Sequence, residues 1–514
     1  MLTQELKAAI RELWNLFWSG GIANSLAAIE QISYLMFLRR IEELDKAEER
    51  EAQRRQHKFQ SRFLDHEDCR WSHIKEQRPE TMLQLVRDRA FPFLQRLSAR
   101  GDTFAAAMRD AVFSLSRASL LVGAVEIIDT LPITDLDLDT QGDLYEELLR
   151  ELNLAGKNGQ FRTPRHIVRV MVELIDPVLG ELIGDPAAGT GGFLVGAFQW
   201  LLKSFTPPEA VKIDPDGSWH HLTGEKQKSN QEIQLLSGEH FVGYDFDTTM
   251  VRLGLMNMML HGIHDPQFCH QDALADDFQI RQRFDVILSN PPLAGSIDRY
   301  RLNPELHLRT TKTELLFIEL CLRLLKTGGR CAIIVPEGVL FNSSNVHRQL
   351  RAELVDANTI EAIISLPGGC FKPYTGGKAA IVLFRKGGSS ERVWFYEVTG
   401  DGYTLDERRV EDPSHNDLRY LPQAYRIKVR GSSEPWASKE AEETAARRSW
   451  IVSREEIAAH NWNLAPGLYR PAEVGVRNES WDPLQIIARV RELDAELTGT
   501  LTQLETMLRA SRDE

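Results

Sequence analysis

The chain has 514 residues, 42% of them hydrophobic and 26% charged, with five cysteines and a formal net charge of −13. These values fit a globular protein of two or three domains with a sizeable core, and the unpaired cysteine spacing excludes a disulfide framework or a cysteine-based zinc module. The acidic balance argues against a chain that grips nucleic acid unaided, because lysines and arginines drive phosphate binding; either basic residues gather on one face or a partner supplies the grip.

From the N-terminus, Leu6, Ile10, Leu13 and Phe17 recur at helical spacing, and Glu5 and Glu12 replace the basic start of a secretory signal. After Gly20-Gly21 a second helical pattern runs through Leu26, Ile29, Ile32, Leu35, Met36 and Ile41. Residues 39–62 are dense in mixed charge and read as a solvated helix end or a mobile loop, with nucleic-acid contact as the minor alternative. The longest apolar run, 120–128, is broken by Gly123 and Glu126 and is too short to span a bilayer. A reducing, cytoplasmic setting is expected. Residues 1–140 form a helical domain in this reading.

The texture changes near residue 150. A glycine-bearing loop over 156–162 leads to Thr163-Pro164, with threonine expected as the N-cap of a helix and proline in its first turn. Strands then alternate with helices. Strands are expected at 182–185, 241–245, 267–270, 284–288, 330–335, 360–366 and 379–384, and helices at 193–202, 248–261 and 313–325. This rhythm predicts a doubly wound, mostly parallel sheet whose final strand is antiparallel, because a helix-free loop joins the last two strands. The catalytic domain is set at 141–400. A polar, irregular extension follows over 401–475. Over 476–514, Ile486, Val490, Leu493, Leu497, Leu501, Leu504 and Leu508 mark one sticky helix edge, suited to subunit assembly or to packing on the chain's own N-terminal helices.

Ligands in open α/β sheets bind at the C-terminal ends of the strands, and three of those ends carry an acid: Asp185, Asp245 and Asp272. Asp185 opens the turn Pro186-Ala187-Ala188-Gly189-Thr190-Gly191-Gly192, which lacks the Gly-Lys-Ser/Thr of a phosphate loop and the Gly-x-Gly-x-x-Gly of a dinucleotide fold. A carboxylate there repels phosphate and suits an ammonium group, while Asp245 suits a ribose diol and Asp272 an adenine amino group. Together they describe S-adenosylmethionine. The fourth strand end carries Asn290-Pro291-Pro292-Leu293. An amide oxygen and the carbonyl of Pro291 can accept both N–H bonds of an aromatic amine and draw its lone pair out of the ring; alternatively the tripeptide merely ends a strand. His261, His264, Cys269 and His270 lie close in sequence, but a helix end and a strand need not bring them together, and no metal is expected.

Phe161 to Pro164, Asp185 to Leu194, Gly243-Tyr244-Asp245 and Asn290 to Leu293 occur in this order. So arranged, they resemble the motifs of DNA methyltransferases that make N6-methyladenine. The resemblance is nearest to the modification subunit of type I restriction–modification systems, and it covers roughly residues 1–470. The stretches 256–262, 313–317 and 328–338 also look like that family. The resemblance implies a class I S-adenosylmethionine-dependent methyltransferase fold behind an all-helical domain. It implies that Asp185, Ala187, Gly189, Thr190 and Gly191 line the methionine part of the cofactor, that Asp245 and Asp272 take its ribose and adenine, and that Gln160, Phe161 and Thr163 close over it. It implies that Asn290, Pro291, Pro292 and Leu293 hold an adenine flipped from double-stranded DNA, with no dedicated base. The implied partners are a specificity subunit, a second modification subunit and a restriction or translocase subunit. In two places the chain departs from the family: Leu293 stands where an aromatic usually stacks on the base, a contact worth ~1–3 kcal/mol, and Arg162 stands where tyrosine is common. The alternatives are a methyltransferase of another phage-defence system, a protein-glutamine methyltransferase, and a scaffold that kept the fold without turnover.

Overall fold

In the computed structural model, residues 3–471 are described apart from 23, 98–101, 132–137, 155–161, scattered positions between 215 and 237, and 264; beyond 471 only Arg491 and Asp494 are described. The amphipathic helix expected over 476–514 lies outside the described residues, as do Gln160, Phe161 and His264. Met1–Tyr469 forms one unit and Arg470–Glu514 another.

The first unit opens with helices α1 (Gln4–Ser19) and α2 (Ser25–Arg55). Each starts at a side-chain cap: Thr3 accepts from the amide of Leu6, and Asn24 from those of Leu26 and Ala27. Ile10, Leu13 and Phe17 form the buried stripe of α1, as their spacing requires. The charged stretch after Arg39 departs from expectation. Arg39, Arg40, Glu42 and Asp45 are buried, and only the later part of α2 is solvated. Burial is tolerated where a charge has a partner: Glu42 accepts from the amide and hydroxyl of Ser72, Asp45 from Ser61 and Arg70, and Arg39 donates to the carbonyl of Ile128. Helix α3 (Leu138–Leu154) follows, and its Tyr145 hydroxyl donates to Ser33 of α2 at 2.9 Å.

The sheet strands are β1 (Ile183–Asp185), β2 (Phe241–Asp245), β3 (Gln267–His270), β4 (Phe284–Ser289), β5 (Leu325–Pro336), β6 (Thr359–Leu366), β7 (Ala379–Arg385), β8 (Arg392–Glu397) and β9 (Ser449–Ser453). Their order across the sheet is β9-β8-β6-β7-β5-β4-β1-β2-β3. β7 runs antiparallel to both neighbours and β9 antiparallel to β8; the remaining pairs are parallel. The class I methyltransferase architecture is therefore present. The sheet extends beyond β6 through β8 and β9. Residues expected to be irregular thus supply an edge strand, whose register is set by Val452 and Trp450 facing inward between exposed or half-exposed Ser449, Ile451 and Ser453.

Side chains alternate between two cores, as the two-residue period of a strand demands. Val286 and Leu288 of β4 join a core that runs on into the N-terminal helices, while Ile287 joins a second core under helix Thr313–Leu324; Phe284, before the register shift that precedes Val286, joins the second core as well. Between α3 and β1 lies helix α4 (Arg165–Ile175). Its N-cap is Pro164, with no side-chain capping bond, so Thr163 does not cap it. The hydroxyl of Thr163 is engaged elsewhere.

Candidate active site

The parallel register brings four strand ends side by side. Asp185 ends β1 opposite Gly243, and the amide of Ala188 donates to the carbonyl of Tyr244 at 2.9 Å, tying the glycine turn to β2. Asp245 clasps that turn: one carboxylate oxygen accepts from the amide of Gly189 at 2.9 Å, and the other from the amide of Asp247 at 2.9 Å. Asn257, from helix Thr248–Leu260, donates to the carbonyl of Thr190 from the other side. The amide of Gln271 donates to the carbonyl of Asp245, which places Asp272 alongside, its carboxylate accepting from the amide of Leu274 at 3.0 Å. Ser289, at the end of β4, donates its hydroxyl to Asp185 at 2.7 Å. Asp185, Ala187, Gly189, Thr190, Gly191, Asp245 and Asp272 are therefore one constellation with Asn290.

Gly189 and Gly191 both sit at positive φ, where a side chain would be strained. A Cβ added at Gly189 or Gly192 would meet nothing within 4 Å, so the turn presents bare backbone to open space.

The electrostatics fit a cationic, hydroxyl-bearing ligand. Burial pushes the Asp185 carboxyl up to about 7, against the opposing hydrogen bonds from Ser289 and Ala187, with Asp245 raising it further. Burial likewise raises Asp245 to about 6, against the bonds from Asp247 and Gly189. No lysine or arginine among the described residues pairs with either acid. A buried and a half-buried carboxylate short of positive charge suit an ammonium and a diol, the groups that S-adenosylmethionine presents without phosphates.

Asn290 follows directly. Its Nδ2 donates to the Thr163 hydroxyl at 2.9 Å, while its Oδ1 is buried and has no hydrogen-bond partner among the described residues. A buried, unsatisfied amide oxygen is costly, on the order of 1–3 kcal/mol, and its presence calls for an external donor. Pro291 is buried, Pro292 is half-buried, and Leu293 is half-buried against the core.

Thr163 is held in turn by its neighbours. Arg162 donates to the carbonyl of Glu146 at 2.9 Å and pairs with its carboxylate at 3.0 Å; Arg165 pairs with both Asp143 and Glu146. His220 bridges Asp143 and Asp214 at 2.9 and 2.7 Å. Burial pushes the Asp143 and Glu146 carboxyls up, but Arg165, joined by His220 at Asp143 and by Arg162 and His261 at Glu146, holds both below the usual range. A cleft of about 440 Å³ opens on the Thr163 side, lined also by Arg165, His220, Lys372 and Tyr374. His261 Nδ1 donates to the carbonyl of Asn257, and His270 Nε2 to that of Phe246; among the described residues no group of three or more candidate ligands could hold a metal ion.

Sequence reasoning missed Ser289, Asn257 and the pair Asp143 and Glu146. Ser289 adjoins Asn290 and could have been read with it. Nothing in the spacing of 143 and 146 announces that Arg162, Arg165 and the still more distant His220 will neutralise them.

Residues 136–475 match the N-6 DNA Methylase family, and residues 6–128 match the HsdM N-terminal domain. The chain is 30% identical over 510 residues to the type I restriction enzyme EcoEI methylase subunit of Escherichia coli, covering 96% of this chain and 95% of that protein. It is 28% identical to the StySPI methylase subunit of Salmonella potsdam, over 65% of this chain and 62% of that one. Among solved structures, a chain described for the assembly and conformational transition of a type I R-M system aligns at 26% identity and a TM-score of 0.67, over 98% of both chains. A modification subunit of a putative type I restriction enzyme from Vibrio vulnificus YJ016 shares the fold at a TM-score of 0.67 and 24% identity, over 88% of this chain and 93% of that one.

Proposed function

The chain belongs to the N-6 DNA methylase family, as a methylase subunit of the type I restriction–modification kind, and we propose that it methylates the N6 amine of an adenine flipped from duplex DNA, using S-adenosylmethionine. One observation carries the proposal: the Asn290 Oδ1 is buried, unpartnered, and fixed through Nδ2. A flipped adenine offers the missing donor. Asn290 Oδ1 and the Pro291 carbonyl accept its two N–H bonds, concentrating the lone pair on N6.

The cofactor supplies an electrophilic methyl group on a sulfonium centre. Asp185 would meet its ammonium, the backbone of Ala187 to Gly191 would line the methionine chain, and Asp245 and Asp272 would take the ribose and adenine. Asn290 and the Pro291 carbonyl would hold the N6 lone pair toward that methyl group, the bonding pair would stay with the sulfur, and the extra proton would pass from the methylated amine to solvent. No residue need act as a general base.

With a net charge of −13, the chain delegates sequence reading to a specificity subunit, joined by a second modification subunit and a restriction or translocase subunit. The test is transfer of labelled methyl to duplex DNA, with and without the specificity subunit, and identification of the methylated base. N6-methyladenine at specific sites, formed only in the assembled complex, is the expected result. Asn290→Ala should cut transfer by orders of magnitude while leaving cofactor affinity nearly unchanged; near-normal turnover would mean that the loop is structural.

A further inference from the structure

Thr163 does not cap α4, and its half-buried hydroxyl meets the amide of Asn290 instead. We propose that Thr163 is a positioning residue for methyl transfer, its hydroxyl oxygen holding Asn290 by Nδ2 so that Oδ1 stays open for the incoming amine. This rests on the proposed role of Asn290.

A primary amide carries two donors and an acceptor, and a terminal amide rotates over a broad, nearly two-fold torsion. Unrestrained, Asn290 could present either its NH₂ or its oxygen to the substrate, and only the oxygen can accept from an amine. In the arrangement found, Thr163 holds Nδ2 at 2.9 Å, which leaves Oδ1 as the open polar atom of the amide. The open, buried Oδ1 is its consequence.

The anchor itself is rigid. Thr163 lies between Arg162 and Arg165, and both are ion-paired to the acids of α3. Helix α3 is fixed to α2 through Tyr145 and Ser33. Gly142 lets α3 lie against His261, since a Cβ there would come within 2.3 Å of the imidazole. The helical N-terminal region is thereby connected, contact by contact, to the amide that activates the substrate.

The experiment compares Thr163→Val, which keeps the shape and removes the hydroxyl, with Thr163→Ser, which keeps the hydroxyl. Both are measured in the full chain, with the partner subunits that its turnover requires, for kcat, for S-adenosylmethionine affinity by calorimetry, and for melting temperature. The valine variant should lose about 10-fold or more in kcat at saturating S-adenosylmethionine, the worth of one oriented hydrogen bond, a loss larger than any change in cofactor affinity. The serine variant should stay within about 3-fold of wild-type kcat. Wild-type kcat in the valine variant overturns the proposal, as does a loss of cofactor affinity that accounts for the whole defect, and as does a serine variant no better than valine. A wild-type complex that transfers no methyl group overturns the reading of Asn290 itself, and the proposal with it.

Discussion

Two pairs of carboxylates flank Asn290, three of the four buried and Asp245 half-buried, and they are treated oppositely. Asp143 and Asp185 are each 2% exposed and Glu146 is 5% exposed, so burial alone does not distinguish them. Asp143 and Glu146 meet Arg162, Arg165 and His220 and are held below the usual range. Asp185 and Asp245 meet backbone amides and a serine hydroxyl, and burial carries them to about 7 and about 6. The first pair is complete within the chain and acts as a brace. The second is complete only when something cationic arrives. A buried acid without a counter-charge is thus the mark of a binding site here, and a paired one the mark of scaffold.

The contrast breaks most visibly at Arg165. Arg165→Ala leaves two buried acids short of a partner and should cost ~3–5 kcal/mol of stability in denaturant unfolding; a cost below ~1 kcal/mol would mean that the brace is ornamental. Asp185→Asn is the counterpart. It removes a charge that no described lysine or arginine pairs with, so stability at pH 8 should hold or rise, while cofactor affinity falls by ~1.5–3 kcal/mol. Lower apo stability with unchanged cofactor binding would reverse the assignment.

A pH series sharpens the difference further. Asp185 binds its proton more tightly folded than unfolded, so its contribution to apo stability is greatest below the ordinary carboxylate range and is lost as pH rises through about 7. The melting temperature of the apo chain should therefore decline between pH 5 and 8, less steeply in Asp185→Asn. Equal slopes would remove Asp185 from the linkage. Asp143 and Glu146, depressed by their partners, act in the opposite sense: their contribution is present above the ordinary carboxylate range and is lost as pH falls below it.

The smallest effect is expected at Leu293, which belongs to neither pair. Leucine covers a flipped base without a π face, so Leu293→Phe should raise methylation by about 5-fold or less, no more than the lower end of the ~1–3 kcal/mol of stacking. The gain should be larger on fully paired duplex than on a target adenine that is already mismatched. Equal gains on both would show that Leu293 does not cover the base.

Much of this arrangement is legible in the sequence because it is local. Strands 241–245 and 267–270 are found at their expected limits, since a short apolar run with an acid at or just beyond its end defines both the strand and its functional end. The glycine turn and Asn290 are legible for the same reason. What escapes depends on distant partners. Thr163 reads as a helix cap because Thr-Pro before an apolar stripe usually is one, yet Asn290, 127 positions away, claims its hydroxyl. Arg39 to Asp45 reads as solvated because charge runs usually are, and partners such as Ser61, Arg70 and Ser72 make the burial of its acids tolerable. Strand β9 carries just two inward apolar residues, too few to stand out from polar chain until β8 supplies its register.

The claim that the strand-end acids await a cation is tested most directly by calorimetry of S-adenosylmethionine binding at pH 6.5 in buffers of different ionisation enthalpy. Asp185 is then largely protonated and Asp245 partly so, and binding an ammonium and a diol requires the ionised forms. The wild-type chain should release roughly one proton on binding, and Asp185→Asn should release far less and bind more weakly. Binding without proton release, at an affinity that Asp185→Asn leaves unchanged, would contradict the account.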